Sequence, residues 1–430
     1  MSKTIIIIGA GLAGLSAALQ AAENGCNVKL VSSLPSERAQ SVMAEGGINA
    51  ALNTKDENDS PEEHFTDTIK AACGLADPNA VWGMTQAAPE LVHWLLKLGV
   101  KFNMSGYDDV DLRNFGGQKK KRTAFAQSDT GKQIMTAMID AVRRKEASGM
   151  VERFSHHSFL TLRLCGNICC GCVIRDEYSQ ETVELPGDAV IVATGGMHGL
   201  FGNTTGSLSN TGEVTAELFR LGVPLANGEM IQYHPTTVKC GGKRMLISEA
   251  ARGEGGRLFA MKDGKQWYFM EEKYPELGNL MPRDITAREI WKVSHESEVF
   301  LDMTEISEEI ISNKLSGLAD DCMTYLHKDI RKEPVSVLPG IHYFMGGILV
   351  DEQHRTPIQN LYAAGECCAQ YHGANRLGGN SLLGALYGGR VAAKSACEQA
   401  DVVDLSCATQ IDFPPASQIS EIKQLNKVMQ

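Results

Sequence analysis

Three glycines in the run Gly9-Ala10-Gly11-Leu12-Ala13-Gly14 carry the first chemistry that can be read from this chain. A Gly-x-Gly-x-x-Gly turn between a strand and a helix is built to receive a pyrophosphate. The first glycine permits the tight turn and the second lets backbone approach the phosphates. The third lets the helix pack on the strand, and the helix amino terminus then faces the negative charge. The context here is the required one. Thr4–Ile8 is an apolar, β-branched strand, Leu15–Asn24 is helical in pattern, and after Gly25 a second strand runs Val28–Val31. A strand this uniformly apolar is expected to be covered on both faces. Gly9, Ala10, Gly11 and Gly14 are therefore expected against a dinucleotide. Ser32 and Ser33 follow the second strand, where an NAD site would carry an acid. They can meet a ribose hydroxyl, but they do not support NAD.

The strand-then-glycine theme returns twice. Asp188–Thr194 runs into Gly195–Gly196, and Leu361–Ala364 runs into Gly365–Glu366 ahead of a helical pattern at Leu382–Ala400. A nucleotide fold split between the two ends of the chain follows, and it favours FAD over NAD. Ala193, Thr194, Gly195, Glu366, Ser381 and Leu382 join the expected cofactor contacts. Between 229 and 342 the theme disappears and the sequence is polar and mixed. The predicted fold class is α/β, a split Rossmann-like FAD-binding domain over 1–228 and 343–430. An α+β capping domain, inserted at 229–342, is expected to bring the substrate groups. Pro414–Pro415 and an amphipathic stretch at Ile419–Met429 read as peripheral.

Composition excludes other classes. The 430 residues hold 41 Lys+Arg against 52 Asp+Glu, a net charge of -11, which argues against a nucleic-acid surface. The basic run Lys119–Arg122 reads as a solvated loop. No stretch reaches the roughly 18–20 apolar residues of a membrane span. The amino terminus enters a strand directly, with no signal-peptide pattern, so a cytoplasmic location is expected. Twelve cysteines in a reducing compartment should be mostly thiols. Cys165, Cys169, Cys170 and Cys172 cluster, but Gly166–Asn167 between them reads as a hairpin turn. Alternate cysteines would then face opposite sides, which is poor geometry for one tetrahedral metal site, and no metal is expected.

Further motifs, in order along residues 1 to about 400, carry a resemblance. They are Arg38–Gly47, Phe115-Gly116-Gly117, Arg122-Thr123, Asp129-Thr130-Gly131, Gln232–Thr236, Glu249–Gly256, Pro282-Arg283-Asp284, His342–Gly347, Gly365-Glu366 and Gly373–Leu382. The chain resembles the flavoprotein subunits of fumarate reductase and succinate dehydrogenase, and more distantly L-aspartate oxidase. The resemblance adds Ser41, Gly46, Gly47 and Glu213 to the flavin contacts, Glu213 standing where the family commonly has aspartate. It implies hydride delivery from flavin N5 to one alkene carbon of fumarate and a proton to the other. His234, Ser248, His342 and Arg376 match the groups that hold the two carboxylates, and all can donate to carboxylate oxygens. Arg283 matches the proton donor. Glu249 and Arg252 match its relay, three residues apart and so on one helical face.

Departures from the family refine the expectation. Gln40 occupies the position of the histidine that links the flavin covalently in respiratory complexes, so noncovalent FAD and a bias toward reduction are expected. Membrane-bound relatives also continue with a helical domain of roughly a hundred residues that this sequence does not reach. Electrons are expected from a separate donor, either an iron–sulfur subunit or a small carrier. Attachment to the inner face of a membrane would come only through such a partner. Phe115 stands where aspartate oxidases carry a glutamate for the substrate amine, which favours a dicarboxylate without an amine. Aspartate, another unsaturated acid, and a flavin-binding subunit without catalysis are the alternative readings.

Overall fold

Alternation along Thr4–Ile8 explains how the centre of the protein is built. Ile5 and Ile7 enter one hydrophobic core and Ile6 and Ile8 another, so both faces of this strand are covered and all four side chains are buried. The computed structural model describes residues 2–401 apart from residue 107. The stretch expected to be peripheral at 419–429 lies outside the described residues.

Thr4–Ile8 is the middle strand of a five-stranded parallel sheet, with Asn27–Ser32 and then Val151–Ser155 on one side, and Ala189–Val192 and then Leu361–Ala363 on the other. The register pairs Ile6 with Val190 and with Lys29. On the Ile5/Ile7 face lie the helices Leu12–Glu23, Thr130–Ala147 and Asn380–Gln399. The first and last of these approach closely because small residues line the seam. A Cβ placed on Gly389 would sit 2.3 Å from the Ala13 carbonyl oxygen. The other face is covered by an antiparallel sheet of His157–Cys165, Ile168–Asp176 and Thr182–Pro186. The chain is thus an α/β protein on a parallel sheet, as its strand–glycine pattern implies.

The middle of the chain packs around a core of its own, from Ile247 to Val337 with Phe115 added. Two antiparallel sheets build it. One runs Lys243–Leu246, Ile231–Cys240, Leu338–Phe344, and the other Lys265–Trp267, Arg257–Lys262, Val299–Asp302, Val335–Ser336. The helix Arg283–Ser294 lies against the first.

The hairpin turn at Gly166–Asn167 is present, with Cys165 opposite Ile168 and Gly166 in the left-handed region at φ 60°. The cysteines after it do not simply alternate. A register shift between Arg163 and Leu164 puts Cys169 and Cys172 in the same apolar core, where burial pushes the Cys169 thiol up to about 12. The basic run is not a solvated loop throughout. Lys119 and Lys121 are exposed, but Arg122 is fully buried, 2.8 Å from Asp59 and 2.9 Å from Asp67. Its guanidinium needs counter-ions more than water, because an unpaired charge at this depth would be costly.

Candidate functional site

A cavity of about 540 Å³ opens where the parallel sheet meets the antiparallel middle of the chain. The glycine turn shapes one end. Gly9 has φ 110°, and a Cβ there would sit 2.3 Å from the Ala193 carbonyl oxygen, so only glycine lets the first and fourth strands close up. Gly14 does not line the cavity. Its absent Cβ would overlap the Gly9 carbonyl oxygen at 1.8 Å, which is the helix-on-turn packing expected of the third glycine. Gly11 and Gly379 precede the helices Leu12–Glu23 and Asn380–Gln399, and neither offers a side-chain cap. Two helix amino termini with orphan N–H groups therefore border the cavity, a setting that favours anions.

The expected cofactor contacts converge here. Gly9, Ala10, Gly11, Ser32, Ser33, Ser41, Gly46, Gly47, Ala193, Thr194, Gly195, Glu213, Glu366, Ser381 and Leu382 all line the cavity, as does Gln40. The residues present fit FAD on an observation independent of sequence pattern. The Ser32 hydroxyl, at the cavity wall, is buried without a hydrogen-bond partner in the protein, a polar group that a ligand hydroxyl would satisfy. Ser41 Oγ accepts from Leu12 N at 3.4 Å, and Glu366 Oε1 accepts from Phe344 N at 3.0 Å while meeting His198 Nε2 at 3.1 Å.

At the other end stand the groups matched to substrate. Strand Ile231–Cys240 carries His234, strand Leu338–Phe344 carries His342, and their rings lie edge to face at 5.1 Å. Burial above all, with Arg283 next, holds both imidazoles well below their usual range, so each is neutral at physiological pH. Thr205 Oγ1 lies 2.8 Å from His342 Nδ1 and 3.4 Å from the Ile341 carbonyl, and when it donates to Nδ1 the imidazole proton is on Nε2. His234 Nε2 and Arg376 Nε are buried with no partner. Burial, then Arg283, brings the Arg376 guanidinium down to about 9, and it lies over the Tyr343 ring at 4.5 Å. Ser248 lines the cavity and caps the short helix Glu249–Gly253 through Ala250 N at 3.4 Å. Phe115 is 3% exposed and presents an apolar wall.

Beside this wall the three matched ionic groups meet, with Arg283 and Glu249 on the cavity. Arg283 opens the helix Arg283–Ser294 and places Nε 2.7 Å and Nη2 2.6 Å from Glu249 Oε2. Glu249 Oε1 accepts from Gly116 N at 2.9 Å and faces Arg252 Nη2 at 3.5 Å. Burial pushes the Glu249 carboxyl up, but Arg283 and Arg252 outweigh it and hold it ionised below its usual value. Arg252 does not line the cavity and lies behind Glu249.

Sequence reading assigned no role to Gln232. Its Oε1 accepts from Arg283 Nη1 at 3.1 Å, and its Nε2 donates to the Arg376 carbonyl and to Asn375 Oδ1, both at 2.8 Å. The signal was available, since Gln232 stands two residues before His234 on a strand and so on the same face. Glu45 was quoted only within a motif, yet it lines the cavity. Burial, then Asp321, raises its carboxyl to about 8, and Oε2 is buried without a partner. No periodicity could foretell that, because Asp321 comes from the far side of the chain.

Comparisons with known proteins identify the family. The model of the FAD binding domain family matches residues 4–382. The succinate dehydrogenase flavoprotein subunit of Bacillus subtilis is 44% identical over 413 residues, covering 94% of this chain and 70% of that protein. The L-aspartate oxidase of Streptomyces coelicolor is 34% identical over 406 residues, covering 91% and 68%. Among solved structures, the quinol fumarate reductase FrdA of E. coli superposes with a TM-score of 0.88 at 30% identity, covering 99% of this chain and 74% of that one. The chain belongs to the FAD-binding family of succinate dehydrogenase and fumarate reductase flavoproteins, and it is an FAD-dependent oxidoreductase.

Proposed function

We propose that this enzyme interconverts fumarate and succinate, with reduction favoured. One observation carries the reading: the buried Arg283–Glu249 fork lies against a cavity where two further polar atoms, His234 Nε2 and Arg376 Nε, have no partner in the protein. A dicarboxylate supplies an acceptor for Arg376 Nε, and for His234 Nε2 in the tautomer whose Nδ1 accepts from Thr236 N. His234 and Ser248 take one carboxylate, and His342 and Arg376 the other, which fixes the alkene and excludes water. Bound FAD supplies a hydride at N5, so reduction of the alkene needs one proton from the protein. Arg283 gives that proton to the second alkene carbon. Glu249, with one oxygen on Arg283 and the other facing Arg252, replaces it from Arg252. The Gln232 amide keeps Arg283 aligned with the backbone of Arg376.

Phe115 supports a substrate without an amine, because an apolar ring cannot pair with an ammonium group. Gln40 supports noncovalent FAD, since an amide cannot form the flavin link. Segments 1–228 and 343–430, whose described part carries the parallel sheet, then act as a split Rossmann-like FAD domain, and 229–342 as the cap that brings Glu249, Arg252 and Arg283. No described helix is long and apolar enough to cross a membrane. In this reading, contact with a membrane's inner face runs through a partner. Electrons come from a separate donor, an iron–sulfur protein or a small reduced carrier. The test is turnover of fumarate by the purified flavoprotein with reduced viologen. Turnover of another enoate or of aspartate, without turnover of fumarate, refutes the assignment.

A further inference from the structure

Arg252, at the outer end of the buried ionic row, is 2% exposed, and its Nε and Nη2 have no hydrogen-bond partner. Its contact with Glu249 is long, at 3.5 Å. The hydrogen bond that orients its guanidinium runs from Nη1 to the main-chain carbonyl of Asn279 at 2.6 Å. The residue that carries this carbonyl is itself held from two sides by its side-chain amide. Asn279 Oδ1 accepts from Leu258 N at 3.0 Å, at the start of strand Arg257–Lys262, and Nδ2 donates to Glu271 Oε1 at 3.0 Å. Glu271 in turn is gripped by Arg257 at 2.8 and 2.6 Å. Asn279 also sits in the helical turn Gly278–Leu280, which leads through Met281 and Pro282 directly into Arg283.

We infer that Asn279 is a positioning residue for the proton relay, one side-chain amide that sets Arg252 through its carbonyl and Arg283 through the turn that follows it. The inference rests on the relay reading of Arg283, Glu249 and Arg252. Its physical ground is that a planar guanidinium with no other fixed partner has several orientations available, and only some face Glu249. A neutral carbonyl holds Arg252 without neutralising it. Two guanidiniums and one carboxylate therefore leave a formal charge of +1 beside an anionic substrate. A carboxylate in place of that carbonyl would cancel the charge and draw Arg252 away from Glu249. The clasp reaches from this row to the partly exposed Glu271–Arg257 pair, so the outer end of the relay is tied to the surface of the second antiparallel sheet.

The experiment compares the wild-type holoenzyme with Asn279→Ala, Glu271→Ala and the exchange Asn279→Asp/Glu271→Gln, in which donor and acceptor swap sides. Arg283→Ala is the control. Fumarate reduction is followed with reduced viologen for kcat, KM and the solvent deuterium isotope effect on kcat. Asn279→Ala is expected to lower kcat about tenfold, with KM within about twofold and a larger isotope effect, because proton supply and not binding is disturbed. Glu271→Ala should lower kcat about threefold, and the exchange should recover most of the loss. Unchanged kcat and isotope effect in Asn279→Ala overturn the inference, as does a loss expressed in KM alone. If Asn279→Ala does not fold, Glu271→Ala at its partly exposed site decides, and wild-type kcat there overturns it. Full turnover in Arg283→Ala would instead sink the relay reading itself.

Discussion

Arg283 and Glu249 meet through a fork in which two of the three guanidinium nitrogens, Nε at 2.7 Å and Nη2 at 2.6 Å, close on the single oxygen Oε2. The second oxygen is thereby left to Gly116 N and Arg252. A carboxylate so divided can take a proton on one side as it yields one on the other. Glu249→Gln keeps the shape and removes that capacity. Its kcat for fumarate should fall about a hundredfold or more, the range of a lost acid–base group, while FAD stays bound. The same change leaves two buried guanidiniums without a counter-ion, so stability should fall by about 3 kcal/mol. Steady-state rates with reduced viologen and a denaturant titration check both. A variant with wild-type kcat would remove Glu249 from the relay.

The neutral imidazoles predict a different signature. His234→Ala and His342→Ala each remove one donor from a carboxylate and leave the acid in place. KM for fumarate should rise about tenfold or more, corresponding to about 1.4 kcal/mol of lost binding. Arg376→Lys keeps the charge but loses the planar stack on Tyr343, and it should also raise KM. Substrate titrations decide this. A fall in kcat at unchanged KM would assign these groups to proton transfer.

Gln40 lies against the cavity with an amide side chain. Acid precipitation of the holoenzyme should therefore release all its flavin to the supernatant. Flavin that stays with the pellet would overturn noncovalent binding.

Stability should fall on mild acidification. Burial holds His64 and His372 down to about 3 and His354 to about 4. Unfolded imidazoles titrate near pH 6.5, so below that pH the unfolded chain binds protons that the fold refuses. The stability these residues contribute is complete above about pH 6.5 and is lost as pH falls toward 4, at up to about 1.4 kcal/mol per pH unit for each. Glu45, raised to about 8 by burial and then by Asp321, works in the opposite sense and costs stability as pH rises from about 4.5 to 8. Melting temperatures from pH 5 to 8.5 should fall on the acid side. Glu45→Gln should flatten the alkaline side, and an acid side that stays level would contradict the histidine account.

Arg122 offers a test far from the chemistry. Its two carboxylate partners are buried with it, so Arg122→Ala strands both Asp59 and Asp67. A loss of about 3 kcal/mol or more is expected in a denaturant titration. A loss below 1 kcal/mol would return the residue to the solvated-loop reading.

The sequence by itself determined the parallel sheet, the glycine turn and the FAD cofactor, because each depends on local pattern. A strand of near-uniform apolar residues can only be covered on both faces, and the glycine at Gly14 is demanded by a backbone contact with Gly9 within one unit, although Gly9 itself is demanded by the distant Ala193. It also named the residues of the ionic row by resemblance. Their arrangement was not legible, since Arg283, Glu249 and Gly116 come from three segments that only tertiary packing joins. The same holds for Gln232 on Arg283, Asp321 near Glu45, and Arg122 between its aspartates. Charge and spacing describe a residue's own neighbourhood along the chain. Burial decides whether that charge is solvated, paired or left waiting for a ligand, and burial is a property of the folded whole.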